Sequence, residues 1–240
     1  MERKIHTILL SGGTGKRMGL ETPKQFLQLA GKPVILHSAE TLKQLAETQG
    51  NLGQFVVIAP TEFITDTERA LSSIKDNFRG ELRITSGGET RQESTLKGLR
   101  ALDGVAVDND LVLIHDAARP LISKSEVTRL CEELESNSDF EIASLVGPVA
   151  ETIVSVNSNN QKALNQPVPR DALRAVKTPQ ALRWAAVKRL RSVHGEFTDL
   201  LSWAHAAGLA GLLVTCDPGN IKLTSPADLV LLESLIAAGK

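Results

Sequence analysis

Residues 7–27, TILLSGGTGKRMGLETPKQFL, constrain the fold more than any other stretch of this chain. The apolar run Ile8-Leu9-Leu10 is cut off at once by Ser11-Gly12-Gly13-Thr14-Gly15, which is the pattern of a buried strand entering a glycine-rich turn. Glycines let backbone N–H groups approach an anion with no Cβ in the way. Successive N–H groups in such a turn form an anion-binding concavity. Lys16, Arg17 and Lys24 add three cations within a few residues. Together they predict a polyphosphate site at the end of a strand, set against the plainer reading of a glycine turn with solvated charges. It is not a Walker loop, because Gly12 and Gly15 are too close and Arg17 stands where Ser or Thr is required. Gly13-x-Gly15 begins a dinucleotide fingerprint, but Met18 replaces its third glycine.

Beyond this loop, apolar runs alternate with helical spacing. Strands are expected at Phe55–Ala59, Leu82–Ile84, Leu111–Ile114, Phe140–Val146 and Leu212–Val214. Helices are expected from Lys32 to Leu45, Thr65 to Ile74 (capped by Thr65 or Asp66), Ser94 to Leu102, Ser123 to Leu134, Ala181 to Ser192, from Thr198-Asp199, and from Ser225 to Leu235. This rhythm predicts an α/β fold, a Rossmann-like three-layer sandwich with a mostly parallel central sheet. Ligands of such sheets gather beyond the carboxyl ends of the strands. One segment departs from the rhythm. Thr152–Val156 alternates and is β-branched, residues 157–160 are a turn cluster, and Val168-Pro169-Arg170 returns. A β-hairpin arm at about 148–172 is expected to stand off one domain spanning 1–240. A lone hairpin is marginal by itself and needs something to pack on.

The net charge of -1, without a basic block, argues against a nucleic-acid partner, and 3% aromatics leave few platforms for stacked bases. Cys131 and Cys216, far apart and outside any ligand motif, suggest a reducing compartment. The N-terminal apolar run is too short for a signal peptide and no segment is long enough for a membrane span, so a cytoplasmic protein is expected.

Three further segments carry candidate chemistry. Ser86–Ser94, SGGETRQES, follows a strand and precedes a helix, so it is either a capped helix start or a loop presenting Arg91 and Ser94 to the crevice. His115-Asp116-Ala117-Ala118-Arg119-Pro120 places an acid just past a central strand, where a metal or a sugar hydroxyl would be met; a cap or an Asp116–Arg119 pair is the alternative. His115 reads as a packed neighbour rather than a base. Thr178-Pro179-Gln180 and Asn220-Ile221-Lys222-Leu223-Thr224 complete the set.

Taken in order, GGTGKRM, PKQF, HDAARP, TPQ and NIKLT resemble the nucleotidyltransferases that load a sugar or alcohol phosphate onto a nucleoside monophosphate. Among them the chain is most similar to the cytidylyltransferase family that makes 4-diphosphocytidyl-2-C-methyl-D-erythritol, from Ile8 to about Leu232. The resemblance implies attack of 2-C-methyl-D-erythritol 4-phosphate on the α-phosphate of CTP, with pyrophosphate leaving. It implies Arg17, Lys24 and Lys222 as catalytic residues. Ser11, Gly12, Gly13, Gly15, Lys16, Gly88, Arg91, Ser94 and Asp116 would hold the nucleotide. Asp116, Arg119, Thr152, Arg170, Thr178, Thr198 and Lys222 would hold the second substrate. Mg²⁺ would bridge phosphate oxygens with Asp116 close by, and no residue is assigned as a metal ligand of its own. The family's arm embraces a second subunit and completes that subunit's site with a threonine and an arginine, here Thr152 and Arg170, which implies a homodimer. The chain departs from the family in three places. Ser11-Gly12-Gly13 replaces Ala-Ala-Gly and leans toward enzymes that use ribitol 5-phosphate. Ala150-Glu151 replaces Arg-Asp before Thr152, and Leu200-Leu201 replaces an acidic or small residue after Asp199. A ribitol-5-phosphate cytidylyltransferase and a non-catalytic CTP-binding regulator therefore remain as alternatives.

Overall fold

A computed structural model describes residues 3–12, 22–49, 52–157 and 160–239. Along the chain, β1 (Ile5–Leu10) is followed by a small ribbon, β2 (Gln28–Leu29) with β3 (Lys32–Pro33), and by α1 (Val34–Gln49). Next come β4 (Leu52–Ala59), α2 (Ile64–Ala70), α3 (Ser72–Asn77), β5 (Leu82–Ser86), α4 (Arg91–Arg100), β6 (Leu111–Asp116), α5 (Lys124–Ser136) and β7 (Ile142–Pro148). The second half holds β8 (Ile153–Asn157), β9 (Asn160–Val168), β10 (Arg174–Arg183), α6 (Val187–Arg191), α7 (Leu200–Ala206), β11 (Gly211–Thr215) and α8 (Pro226–Ala237).

Seven strands form one sheet in the order β11-β7-β10-β6-β1-β4-β5. All neighbours run parallel except β10, which is antiparallel to both β6 and β7. The inner strands β1, β6 and β7 are buried on both faces, so they read as continuous apolar runs. Their side chains still alternate between the faces. Leu9, Phe55, Val57, Leu111 and Leu113 join one core with Ile35, Leu42, Val127 and Leu130 of α1 and α5. Ile8, Val56, Ile58, Val112 and Ile114 join the other with Leu99, Leu190 and Trp203 of α4, α6 and α7. The result is the three-layer α/β sandwich that the alternation predicts.

Register brings the functional edge together. Leu10 pairs with Asp116 across β1 and β6, and with Ile58 across β1 and β4, while Ala59 pairs with Ser86 across β4 and β5. Segments 11–12, 87–88 and 116–118 therefore leave the sheet at one edge. α4 lies close on β1 because Gly98 carries no side chain; a Cβ there would fall 2.6 Å from Ile8 Cγ2.

Three expectations are corrected. The helix expected over 181–192 begins only at Val187, and Ala181 and Leu182 belong instead to β10. Ala181 packs into one core and Leu182 into the other. Burial on both faces there overrides the helical preference of Ala, Leu and Arg. The helix expected over 65–74 is two helices joined at Leu71, and neither Thr65 nor Asp66 caps it; the cap position is Phe63. Finally, α4 starts at Arg91 rather than Ser94, capped by Thr90, whose side chain accepts from Glu93 N.

Among the described residues, β8 and β9 pair only with each other, forming a two-stranded hairpin apart from the main sheet. Among the described residues no helix is long and apolar enough to cross a membrane.

Candidate active site

The carboxyl ends of β1, β5 and β6 wall a crevice of about 300 Å³. Ser11 and Gly12 contribute from β1, Gly88, Arg91 and Ser94 from the β5–α4 turn, and Asp116 from β6. Lys24 and Gln25 enter from the turn after Pro23, and Lys222 from the segment before α8. Helix α4 points its N-terminus into this space, the end that favours negative charge.

Asp116 sits at the centre. Arg91 donates to its Oδ1 from Nε at 3.1 Å, and Lys222 Nζ donates to Oδ2 at 2.6 Å. Burial by itself would raise this carboxyl, but the Arg91 and Lys222 charges outweigh it and hold Asp116 well below the usual carboxylate range. At neutral pH the group is therefore ionised and acceptor-only, with both oxygens engaged. A carboxylate so weakly basic is a poor proton carrier. What it does is hold two cations at a fixed separation across the crevice.

Short contacts hold the residues of the crevice wall in place. Gly88 N donates to Ser94 Oγ at 3.1 Å, and a Cβ on Gly12 would lie 3.8 Å from the same oxygen. Lys24 Nζ donates to the carbonyl of Leu223, the residue after Lys222, at 3.3 Å. The wall thus combines glycine backbone and a hydroxyl with two lysines.

Behind Asp116 lies a buried polar network. Asp116 N donates to Thr178 Oγ1, and Thr178 Oγ1 also pairs with His115 Nδ1, both at 3.1 Å. His115 Nε2 faces Arg119 O at 3.1 Å. A carbonyl only accepts, so Nε2 carries the proton and Nδ1 accepts from the threonine hydroxyl. Burial pushes His115 down to about 4 against the pull of Asp116, so the ring is neutral near pH 7 and sealed from substrate. Arg119 Nη1 donates to Asn220 O at 3.2 Å, and Lys177 Nζ donates to the same oxygen at 2.9 Å. Asn220 Nδ2 donates to Thr178 O at 2.9 Å. Glu126, fully buried, accepts from Asp217 N at 2.8 Å and from Ser123 N at 2.9 Å. This network fixes where the chain turns into Lys222.

The structure brings Ser11, Gly12, Lys24, Gly88, Arg91, Ser94, Asp116 and Lys222 into one crevice. Arg119 and Thr178 lie behind it, buried in the network. Three residues lie apart. Thr198 is exposed beside the α7 cap, Asp199, and Thr152 is exposed at the foot of the arm. Arg170, also exposed, donates to Ala150 O at 2.9 Å and lines a separate depression with Gly147, Asp171 and Arg174. Gly13, Gly15, Lys16 and Arg17 lie outside the described residues. The sequence reading missed Glu126 and Asn220 as organisers. Ser123-x-x-Glu126 is a legible capping box, present in the structure, but its grip on Asp217 is a long-range contact.

A family model for IspD, 2-C-methyl-D-erythritol 4-phosphate cytidylyltransferase, matches residues 5–238. The chain is 38% identical over 236 residues to the 2-C-methyl-D-erythritol 4-phosphate cytidylyltransferase of Leptospira interrogans serogroup Icterohaemorrhagiae serovar copenhageni, covering 97% of this chain and 92% of that one. Against the enzyme of the same name from Azoarcus sp. the identity is 36% over 230 residues, 95% and 92% of the two chains. The crystal structure of 2-C-methyl-D-erythritol 4-phosphate cytidylyltransferase from Thermus thermophilus superimposes with a TM-score of 0.71 at 27% identity, over 99% of this chain and 100% of that one. With Gly12, Lys24, Arg91, Asp116 and Lys222 gathered in one crevice and matches of this length, the chain belongs to the 2-C-methyl-D-erythritol 4-phosphate cytidylyltransferase family and is a nucleotidyltransferase.

Proposed function

We propose that the crevice transfers the cytidylyl group of CTP to the phosphate of 2-C-methyl-D-erythritol 4-phosphate, forming 4-diphosphocytidyl-2-C-methyl-D-erythritol and releasing pyrophosphate in isoprenoid precursor synthesis. The observation that carries this reading is the Arg91–Asp116–Lys222 cluster in a crevice lined by glycine backbone and by lysines. The glycine backbone, with Ser94, suits a nucleotide held by backbone groups. The lysines suit phosphates. A phosphate monoester is largely a dianion near neutral pH, so the attacking oxygen needs no protein base, in keeping with the sealed His115 and the ionised Asp116. Catalysis is then positioning and charge stabilisation. Lys24 lines the crevice and is assigned to the α-phosphate and the leaving group; the family resemblance assigns Arg17 the same role and Lys16 the outer phosphates, and both lie outside the described residues. Lys222, held by Asp116, meets the acceptor.

Mg²⁺ is part of the proposal. No group of three His, Cys, Asp or Glu side chains that could hold a metal occurs among the described residues. Asp116 and Glu89 are the carboxylates lining the crevice, and Asp116 is the one set between Arg91 and Lys222. A single carboxylate with phosphate and water oxygens is a set that Mg²⁺ accepts. When bound, the ion would neutralise phosphate charge beside Asp116.

The reading extends to assembly and place. The chain is taken as one domain, and the arm lies at the interface of a homodimer, carrying Thr152 and Arg170 to the partner's crevice. Val154, Val156 and Leu164, exposed on the arm, support that role. Two free buried cysteines support a cytoplasmic location.

The test is pyrophosphate release with CTP and Mg²⁺. The expected result is release with 2-C-methyl-D-erythritol 4-phosphate in clear excess over ribitol 5-phosphate. Faster turnover of ribitol 5-phosphate would move the substrate assignment. CTP binding with no release for either acceptor would make the protein a regulator.

A further inference from the structure

Gln25 follows Lys24 in the short turn Lys24–Phe26 and lines the crevice. The residue is only 2% exposed, yet among the described residues neither its Nε2 nor its Oε1 has a hydrogen-bond partner. Buried amides are almost always paired, so an amide orphaned at the wall of a binding crevice calls for an explanation. Among the described residues, Ser11 Oγ is the other unpartnered polar atom of the residues that line the crevice.

We propose that Gln25 is a specificity-determining residue whose side-chain amide receives an alcohol hydroxyl of the substrates beside the transferred phosphate. This rests on the transfer reaction proposed above. The chemistry of the amide selects the ligand. It offers one donor group and one acceptor. Phosphate oxygens only accept and would leave Oε1 orphaned, and Lys24 next door already serves them. A hydroxyl both donates and accepts, so it satisfies both atoms. The cytosine edge has donors and acceptors too, but the glycine backbone and Ser94 at the start of α4 are the groups assigned to the base, whereas Gln25 adjoins Lys24, whose Nζ reaches Leu223 O. Hydroxyls occur on the ribose of CTP and on the polyol of the acceptor, and the experiment separates them.

Gln25→Met keeps the side-chain length and removes both polar groups. An unpaired buried amide costs stability, so the unliganded variant is expected to melt higher than wild type. Its kcat/KM for CTP with 2-C-methyl-D-erythritol 4-phosphate is expected to fall on the order of tenfold. Both proteins are then assayed with 2′-deoxy-CTP, 3′-deoxy-CTP, and acceptor analogues lacking one hydroxyl. One analogue is expected to cost wild type a similar factor and to cost Gln25→Met nothing more; whether it is a nucleotide or an acceptor identifies the source. A lower melting temperature with unchanged kinetics would make the amide structural and overturn the proposal. Equal penalties in both proteins for every analogue would overturn it as well. So would intact hydroxyl discrimination with an altered preference for CTP over UTP. Absence of turnover by wild type with any pair would overturn the transfer reading instead, while the melting comparison still tests whether the amide is a cost in the unliganded protein.

Discussion

The crevice and the arm solve opposite problems. Around Asp116, charge is dense, partly buried and matched within one chain: one carboxylate, two cations, and a hydrogen-bonded network behind. The arm, among the described residues, is a ribbon paired only to itself, with Val156 50% and Leu164 64% exposed. A matched charge cluster is finished by folding, whereas exposed apolar side chains on a lone ribbon are finished only by contact. Variants in the two regions should therefore fail in different ways, one in chemistry and pH response, the other in assembly.

The largest effect is expected at the lysines of the crevice. Lys24→Ala should lower kcat by about 10²–10³, the usual cost of losing one preorganised charge contact in the transition state, and weaken CTP binding much less. Steady-state kinetics beside a direct CTP titration checks this. Near-normal turnover would remove Lys24 from the mechanism and leave the crevice a binding site only.

The next effect concerns the network behind Asp116. Burial pushes His115 to about 4 in the folded protein, against about 6.5 in the unfolded chain. The unfolded chain therefore takes a proton that the folded one refuses. The contribution is whole above pH 6.5 and drains away as pH falls from 6.5 toward 4, by at most about 3 kcal/mol. Asp116 is also depressed, so its share persists to lower pH and is lost below the ordinary carboxylate range. Asp116, Arg119 and Arg91 are the charges that act on His115. Chemical denaturation at several pH values should show a shallower slope between pH 6.5 and 4 for His115→Gln. The slope should not vanish, since burial lowers His6 too. An unchanged slope would mean that His115 is not the titrating group.

The smallest effect is expected on the arm. Val156→Ser changes a half-exposed side chain and should move the stability of the isolated subunit by no more than about 0.5 kcal/mol. Sedimentation equilibrium should nevertheless show a weaker dimer. A large loss of subunit stability, with dimerisation unchanged, would mean that the arm packs on its own chain.

How legible each region is in the sequence follows from how local its determinants are. The glycine segments, the strand ends and the hairpin rest on runs of five to ten residues, and Ser11, Gly88, Arg91 and Asp116 could be placed at one edge from those runs. β10 could not be read. A strand buried on both faces shows no polar alternation, and Ala181-Leu182-Arg183 is as good a helix as a strand until both cores are known. The support of Asp116 was equally hidden. Asn220 reaches Thr178 over 42 residues and Glu126 reaches Asp217 over 91, and nothing local signals either pairing. Gln25 was visible within PKQF, but only burial reveals that its amide is unpaired.

The account turns on the crevice of one subunit needing the arm of another, and mixing two inactive variants tests this most directly. Lys24→Ala leaves its arm intact, and Arg170→Ala leaves its crevice intact. In a randomly exchanged equal mixture, half of the dimers are mixed and each holds one complete site, so about a quarter of wild-type activity should return. No recovery, with subunit exchange confirmed, would place Arg170 in its own subunit's site or outside any site, and would contradict the account.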